Sequence, residues 1–125
     1  MSFAYPHFEL SEENVGQGIH VINVRGEIHV STAADFAKRL GEAISRGATA
    51  VVIDMTQVEF IDSTGLTVLL NGLRDITLRR GRLALAISNP TVLRLFEITR
   101  LDTTFDIEDT REAALARVRA DTDAA

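Results

Sequence analysis

The chain has 125 residues, of which 46% are hydrophobic and 25% are charged, and its formal net charge at pH 7 is −5. This length predicts one domain around one core, and the acidic balance argues against general nucleic-acid binding, which requires a basic face. Cysteine is absent, which excludes disulfides, a thiolate nucleophile and a Cys-ligated zinc site.

Targeting signals are not visible in the sequence. No apolar run approaches the ~20 residues that are needed to span a bilayer. The N-terminus lacks the basic start and the apolar block of a signal peptide. We therefore expect a cytoplasmic protein without a membrane-spanning segment.

Five segments have the pattern of strands, with alternating or continuous apolar residues bounded by polar and glycine-containing turns. In chain order they are centred on Phe8 and Leu10, on residues 19–25, on residues 50–53, on residues 83–87 and on Phe105. The run at residues 50–53 is apolar throughout, which predicts a strand that is covered on both sides.

Four helices are predicted from start signals that precede a helical apolar stripe. The starts are Ser31 or Thr32, Ser63, Asn89-Pro90, and Asp109 with Glu112. The second helix is expected to bury Leu66, Leu69, Leu70 and Leu73. Its last turn should hold Arg79 and Arg80, and Gly81 should end it. The last helix should face inward with Ala114, Leu115 and Val118.

A cluster of small polar residues, Asp62 to Gly65, follows residues 58–61, which we expect to form a polar-edged loop. Serine, threonine and aspartate favour helix starts because their side-chain oxygens accept from unpaired backbone N–H groups. Ser63 is therefore predicted at an exposed helix N-terminus beside a carboxylate. From the residues alone, a capping role for Ser63 outweighs a functional one.

Strands that alternate with helices predict an α/β fold with right-handed crossovers. The two opening strands form a hairpin-like pair, so the sheet should be mixed but mostly parallel, with about five strands and about four helices. No linker or repeat interrupts this order. We expect a single domain over residues 1–125, with a core at about 8–118 and tails at residues 1–7 and 121–125.

Residues 60–66, Phe60-Ile61-Asp62-Ser63-Thr64-Gly65-Leu66, resemble the phospho-acceptor motif of the bacterial STAS-domain anti-sigma-factor antagonists, or anti-anti-sigma factors. Three further segments resemble that family at the expected places: residues 24–28 its Gly-Glu-Leu signature, residues 51–55 its central strand, and residues 86–96 the strand, turn and helix that follow. The resemblance extends from about residue 8 to 118. It implies a STAS fold whose phospho-acceptor loop lies at the carboxyl end of the central strand.

The resemblance also implies a partner-switching function in transcription regulation. The unphosphorylated protein binds an anti-sigma factor that is also a serine kinase, and so releases the sigma factor. The kinase then phosphorylates Ser63, which ejects the protein, and a PP2C-type serine phosphatase resets it. The kinase supplies the ATP, so the chain itself needs no cofactor and is not an enzyme.

The implied docking surface surrounds Ser63 and comprises Glu27, His29, Ser31, Thr32, Asp62, Thr64, Gly65, Leu66, Ser88 and Asn89. His29 stands where many family members carry a partner-contacting aspartate. It is either a pH-sensitive docking residue or an exposed loop histidine. Thr64 is a second acceptor or a capping neighbour, Asp62 orients Ser63 or caps the helix, and Gly65 permits a close approach or merely starts the helix.

Other interpretations remain beside this one. The same fold also serves as an accessory subunit of transporters or stress-sensing complexes, in which Ser63 would not be phosphorylated. A hydrolase using Ser63 is weaker, because there is no Gly-x-Ser-x-Gly turn and no neighbouring histidine.

The three histidines lack metal-ligand spacing, so no metal is expected. The arginines near residue 80 fit a solvated helix end better than a nucleic-acid patch. Monomer and homodimer both stay open.

Overall fold

The computed structural model describes residues 8–123, the last three of them by backbone alone. Five strands form one sheet: β1 (Glu9–Asn14), β2 (Ile19–Ile28), β3 (Ala50–Ile61), β4 (Arg82–Ala86) and β5 (Asp106–Glu108). Four helices accompany it: α1 (Ala33–Ser45), α2 (Ser63–Leu78), α3 (Pro90–Ile98) and α4 (Arg111–Asp123), with a 3₁₀ turn at Leu101–Thr103. The predicted mixed α/β fold is confirmed.

The strands lie in the spatial order of their sequence, β1-β2-β3-β4-β5. β1 pairs antiparallel with β2, and the other neighbours are parallel. Each parallel connection contains one helix, as crossovers of this kind require. β3 is therefore the central strand, and the carboxyl ends of β2, β3 and β4 meet at one edge of the sheet.

The two faces of the sheet are buried in separate cores, because successive side chains of a strand point to opposite faces. On β3, Val51, Ile53 and Met55 join the larger core beneath α1, α2 and α3. Ala50 and Val52 face the other way, into the smaller core beneath α4. The predicted inward residues of α4, Ala114, Leu115 and Val118, are buried there, as expected.

β3 is longer than the sequence pattern predicted. Residues 58–61 continue the strand, so the expected loop before Ser63 is wrong. The pairing with β2 shifts by one residue between Asn23 and Arg25 and again between Gly26 and Glu27, which indicates two irregularities of the β-bulge type. From Gly26 and Val58 onward, β2 and β3 pair only with each other, and this two-stranded arm ends just before Ser63.

Helix α2 departs from the prediction in two places. Its buried side chains are Leu66, Leu69 and Ile76, with Gly65 and Gly72 at closely packed positions. Leu70, which we expected inside, is 38% exposed, and Leu73 is only half-buried. The helix ends at Leu78 rather than beyond the two arginines, and the left-handed residue after it is Arg80, with φ 63°, instead of the glycine that follows.

The ends of the chain also differ from expectation. Thr110, not Asp109, starts α4, because its Oγ1 accepts from the backbone N–H of Ala113 at 3.0 Å. The helix continues to Asp123, so residues 121–123 are helical rather than a tail. Residues 1–7 and 124–125 lie outside the described part of the chain. From residue 8 to residue 123, no helix combines the length and the apolar character that crossing a membrane requires.

Candidate functional site at the start of helix α2

Asp62 is the N-cap of α2. Its backbone is extended, with φ −108° and ψ −172°, and its Oδ1 accepts from the backbone N–H groups of Thr64 at 2.9 Å and Gly65 at 3.2 Å. The Thr64 hydroxyl donates to the same oxygen. The helix cap is therefore Asp62, and the interpretation of Ser63 as a helix cap is wrong.

Ser63 is the first residue of α2, immediately after the central strand. Its side chain is exposed, and its carbonyl oxygen accepts from the Thr67 hydroxyl at 2.9 Å. Within residues 8–123, no group forms a hydrogen bond with the Ser63 hydroxyl. A hydroxyl at this position is accessible from outside the domain and is not engaged in holding the fold together.

The carboxylate of Asp62 is stabilised in its charged form. The hydrogen bond from the Thr64 hydroxyl lowers the pKa of Asp62 below its usual range, and the backbone N–H groups of Gly65 and Thr64 and the charge of His29 act in the same direction. Partial desolvation opposes them without reversing the shift. Ser63 therefore lies beside a permanent negative charge at neutral pH.

The segment between β2 and α1 is shaped by a buried threonine. Thr32 is 2% exposed, and its Oγ1 accepts from the backbone N–H of His29 at 3.0 Å and donates to the carbonyl of Glu27 at 2.8 Å. It stands at the N-cap position of α1 but makes no side-chain capping bond, contrary to the expected cap. Its side chain orders this segment and is not presented to a partner.

The polar residues of the segment between β2 and α1 lie at the surface beside the start of α2. The Nδ1 atom of His29 accepts from the backbone N–H of Ser31 at 3.2 Å, and its Nε2 lies 3.9 Å from Oε1 of Glu27. The backbone N–H of Asp62 donates to the carbonyl of Ile28 at 3.1 Å. That bond joins the end of β2 to the start of α2, so these two segments are neighbours in the structure.

Gly65 and Leu66 belong to the packing rather than to the exposed surface. A Cβ atom on Gly65 would lie 2.6 Å from Cγ1 of Ile61 and 2.7 Å from Cγ2 of Ile28. Leu66 is 9% exposed and lies in the larger core. Of the two interpretations for Gly65, the structure shows a close approach, and the groups it approaches are the ends of β2 and β3.

Two exposed apolar residues near the start of α2 were not among the predicted site residues. Val30 is 74% exposed on the segment before α1, and Phe60 is 48% exposed on β3, where it pairs with Glu27. The exposure of Val30 could have been predicted from the sequence, because Val30 stands alone among polar residues. The exposure of Phe60 could not, because the register shift in β3 decides which way its side chain points.

Ser88 and Asn89 lie farther along the same edge of the sheet. The Ser88 hydroxyl donates to the carbonyl of Thr56 at 3.2 Å, and Asn89 caps α3 by accepting from the backbone N–H of Thr91 at 2.8 Å. Thr56 precedes Ile61 by five residues of β3, which is about 16 Å of extended strand. The structure does not bring these two predicted residues against Ser63.

Comparison with known proteins agrees with the architecture. The model of the STAS domain family matches residues 12–114. The chain belongs to the STAS domain family. The match covers all five strands except the start of β1, and it includes the capped start of α2.

Several relatives of this STAS domain are named anti-sigma factor antagonists. It is 32% identical over 102 residues to the anti-sigma-F factor antagonist RsfB of Mycobacterium tuberculosis, covering 82% of this chain and 83% of that one. The crystal structure of an anti-sigma factor antagonist from Mycobacterium paratuberculosis matches with a TM-score of 0.82 and 30% identity, covering 90% and 94% of the two chains. The Bacillus cell fate determinant SpoIIAA in its phosphorylated form matches with a TM-score of 0.68 and 28% identity, covering 89% and 98%.

Among residues 8–123 there is no group of three histidine or acidic side chains placed to hold a metal ion. An open polar cleft of about 370 Å³ lies between β1 and the start of α4, and its lining includes Arg25, Asp54 and Arg111 but not Ser63. Away from this cleft, the start of α2 carries the Ser63 hydroxyl beside the Asp62 carboxylate.

Proposed function

We propose that this STAS domain is an anti-sigma factor antagonist that is switched by phosphorylation of Ser63. In the unphosphorylated state it binds an anti-sigma factor serine kinase and so releases the sigma factor. The kinase transfers phosphate from its own ATP to Ser63, the phosphorylated protein dissociates, and a PP2C-type serine phosphatase restores it. The protein acts in the cytoplasm, without catalysis of its own and without a cofactor.

The observation that carries this proposal is the Ser63 hydroxyl itself. It is exposed at the first position of α2, and no described residue hydrogen-bonds to it, because Asp62 provides the cap. Relatives with this fold support the proposal, since they are named anti-sigma factor antagonists and one of them, SpoIIAA, was solved in a phosphorylated form.

The docking surface has an apolar part and an acidic part. Val30 and Phe60 are the exposed apolar groups, and they suit a partner that buries them in the centre of an interface. Asp62 and Glu27 provide negative charge beside Ser63. Ser31 is exposed on the same segment as Val30 and is a further polar contact in this proposal.

Phosphorylation should act at this interface rather than on the fold. A phosphate adds about −1.5 to −2 charges at neutral pH. The N-terminus of α2 tolerates negative charge, because the helix dipole is positive there. A docked partner would have to desolvate that charge next to the ionised Asp62, so the complex loses affinity while the free domain stays folded.

The proposal is tested by charge substitution at Ser63. After a pull-down has identified the kinase partner, its affinity is measured for Ser63→Ala, Ser63→Asp and the wild type. Ser63→Ala should bind like the wild type without being ejected by ATP, and Ser63→Asp should bind about tenfold or more weakly, because like charges are brought together. Ser45→Asp is the matched control, since Ser45 is an exposed serine at the end of α1, at the opposite edge of the sheet.

Two results would reject the proposal. One is equal affinity of Ser63→Ala and Ser63→Asp for the partner. The other is an unmodified intact mass of the protein recovered from its own cells, under growth and stress conditions alike, since the switch requires a phosphorylated pool.

A further inference from the structure

Two neighbouring hydroxyls, those of Ser63 and Thr64, are exposed at the start of α2. We infer that Asp62 determines which of them is phosphorylated, by holding the Thr64 hydroxyl and leaving Ser63 as the acceptor. This inference rests on the proposed function, and it assigns to Asp62 the role of a positioning residue that acts through Thr64.

The hydrogen bonds of the two hydroxyls differ completely. The Thr64 Oγ1 donates to Oδ1 of Asp62, the oxygen that also accepts from the backbone N–H groups of Thr64 and Gly65. Three donors on one carboxylate oxygen orient the Thr64 side chain back toward the cap. The Ser63 hydroxyl has no such bond to any residue between 8 and 123.

Phosphoryl transfer requires the acceptor hydroxyl to be presented to the kinase. The hydroxyl oxygen forms a bond to the γ-phosphorus of ATP while the bond from that phosphorus to the β–γ bridging oxygen breaks, ADP leaves, and the hydroxyl proton passes to a base of the kinase. Ser63 can turn toward the kinase at no cost in hydrogen bonds. Thr64 would first have to leave a charge-assisted hydrogen bond, which is stronger than a neutral one.

A carboxylate that accepts from a hydroxyl can instead activate it as a base. Asp62 is poorly suited to that role, because the same three donors lower its pKa and so weaken its basicity. Its oxygen is also occupied by the helix cap, which fixes it on the side of the backbone N–H groups. The contact therefore withholds the Thr64 hydroxyl instead of activating it.

The first experiment maps phosphates after incubation with ATP and the kinase partner, and its readout is the ratio of Thr64 to Ser63 phosphate. Asp62→Ala removes the acceptor, whereas Asp62→Asn keeps an oxygen at the same place and serves as the control. The ratio should rise about tenfold in Asp62→Ala and rise less in Asp62→Asn, whose amide oxygen still accepts from the Thr64 hydroxyl but carries no charge. In the Ser63→Ala background, adding Asp62→Ala should likewise increase the phosphate on Thr64.

The outcomes separate this inference from the proposed function. A wild type without phosphate on Ser63 rejects the proposed function, and this inference falls with it. A wild type phosphorylated on Ser63 alone, together with an unchanged ratio in Asp62→Ala, overturns the inference and leaves the proposed function standing. Because the readout is a ratio, a weaker affinity of Asp62→Ala for the kinase does not alter the conclusion.

A second experiment tests the hydrogen bond without the kinase. The pKa of the Asp62 carboxyl is followed by NMR titration, and Thr64→Val should raise it toward the ordinary value by removing the hydroxyl donor. Thr67→Val is the matched control, because the Thr67 hydroxyl donates to the carbonyl of Ser63 and not to Asp62. An Asp62 pKa that is the same in Thr64→Val and the wild type would refute the inference directly.

Discussion

Replacing Gly65 with alanine should push the start of α2 away from the strands that support it. The added Cβ would lie 2.6 Å from Cγ1 of Ile61 and 2.7 Å from Cγ2 of Ile28, distances that real Cβ atoms do not show. Ile28 is fully buried and Ile61 is 3% exposed, and both clashing carbons are attached directly to Cβ. Neither side chain can move aside without leaving its preferred rotamer.

The change in the free energy of unfolding caused by Gly65→Ala is the sum of two opposing effects. Forcing an extra methyl group into a filled core costs about 1–3 kcal/mol. Alanine gains up to about 1 kcal/mol over glycine in the interior of a helix, and less so near its first turn. We therefore expect Gly65→Ala to lower the free energy of unfolding by about 1–2 kcal/mol, and Tm by about 4 °C per kcal/mol for a domain of this size.

Gly41→Ala is the matched control for this substitution. Gly41 lies in the interior of α1, and a Cβ atom there would have no neighbour within 4 Å. The alanine should fit without strain and stabilise the domain by about 0.4–1 kcal/mol. Urea unfolding followed by circular dichroism measures the free energy of unfolding of both variants. Gly65→Ala should also bind the proposed kinase partner more weakly, because the added methyl group displaces Ser63.

The reasoning would be refuted if Gly65→Ala were as stable as Gly41→Ala. That result would mean that Ile28 and Ile61 can relax around the new methyl group at no cost, so that the close approach of α2 to the ends of β2 and β3 does not require glycine.

Two further predictions concern hydrogen bonds away from the hydroxyl of Ser63. Hydrogen bonds, first from Arg111 and then from Asn23, lower the pKa of Glu13 from 4.5 to about 2, so this stabilisation is present above pH 4.5 and is lost as the pH falls through 2. The stability difference between the wild type and Glu13→Gln in urea should therefore shrink over that range, and a difference that is independent of pH would contradict this. Thr32→Val should cost about 1–3 kcal/mol, because the backbone N–H of His29 loses its buried acceptor. Thr32→Ser keeps the hydroxyl and should cost less in thermal unfolding, and equal losses would disprove the role of that bond.

The start of α2 could be predicted from the sequence, but the roles of its individual residues could not. The cluster of Asp62, Ser63 and Thr64 marked a helix start, and the structure has one there. All three residue types are good caps, so local preference alone does not choose among them. The choice depends on where β3 ends, and the bond from the Asp62 N–H to the carbonyl of Ile28, on a different strand, sets that point.

The length of β3 could not be predicted from the local sequence pattern either. Polar residues at positions 54, 56, 57 and 59 interrupt the apolar run, so residues 58–61 had the pattern of a loop. Pairing with Gly26 and Glu27 extends the strand through this stretch. Strand pairing joins residues that are about thirty positions apart in the chain, and no local pattern reports it. The exposure of Phe60 follows from that pairing.

By itself, the sequence determined the order of strands and helices, the mixed and mostly parallel sheet, and the presence of a capped helix start at Asp62 to Gly65. These features depend on periodicity and capping, which are properties of neighbouring residues. Only the tertiary structure decided that Thr32, Gly65 and Leu66 face inward, and that one carboxylate holds the Thr64 hydroxyl while the Ser63 hydroxyl stays available. Burial depends on the approach of segments that are distant in the chain, and the choice between two adjacent hydroxyls depends on where β2 and β3 end.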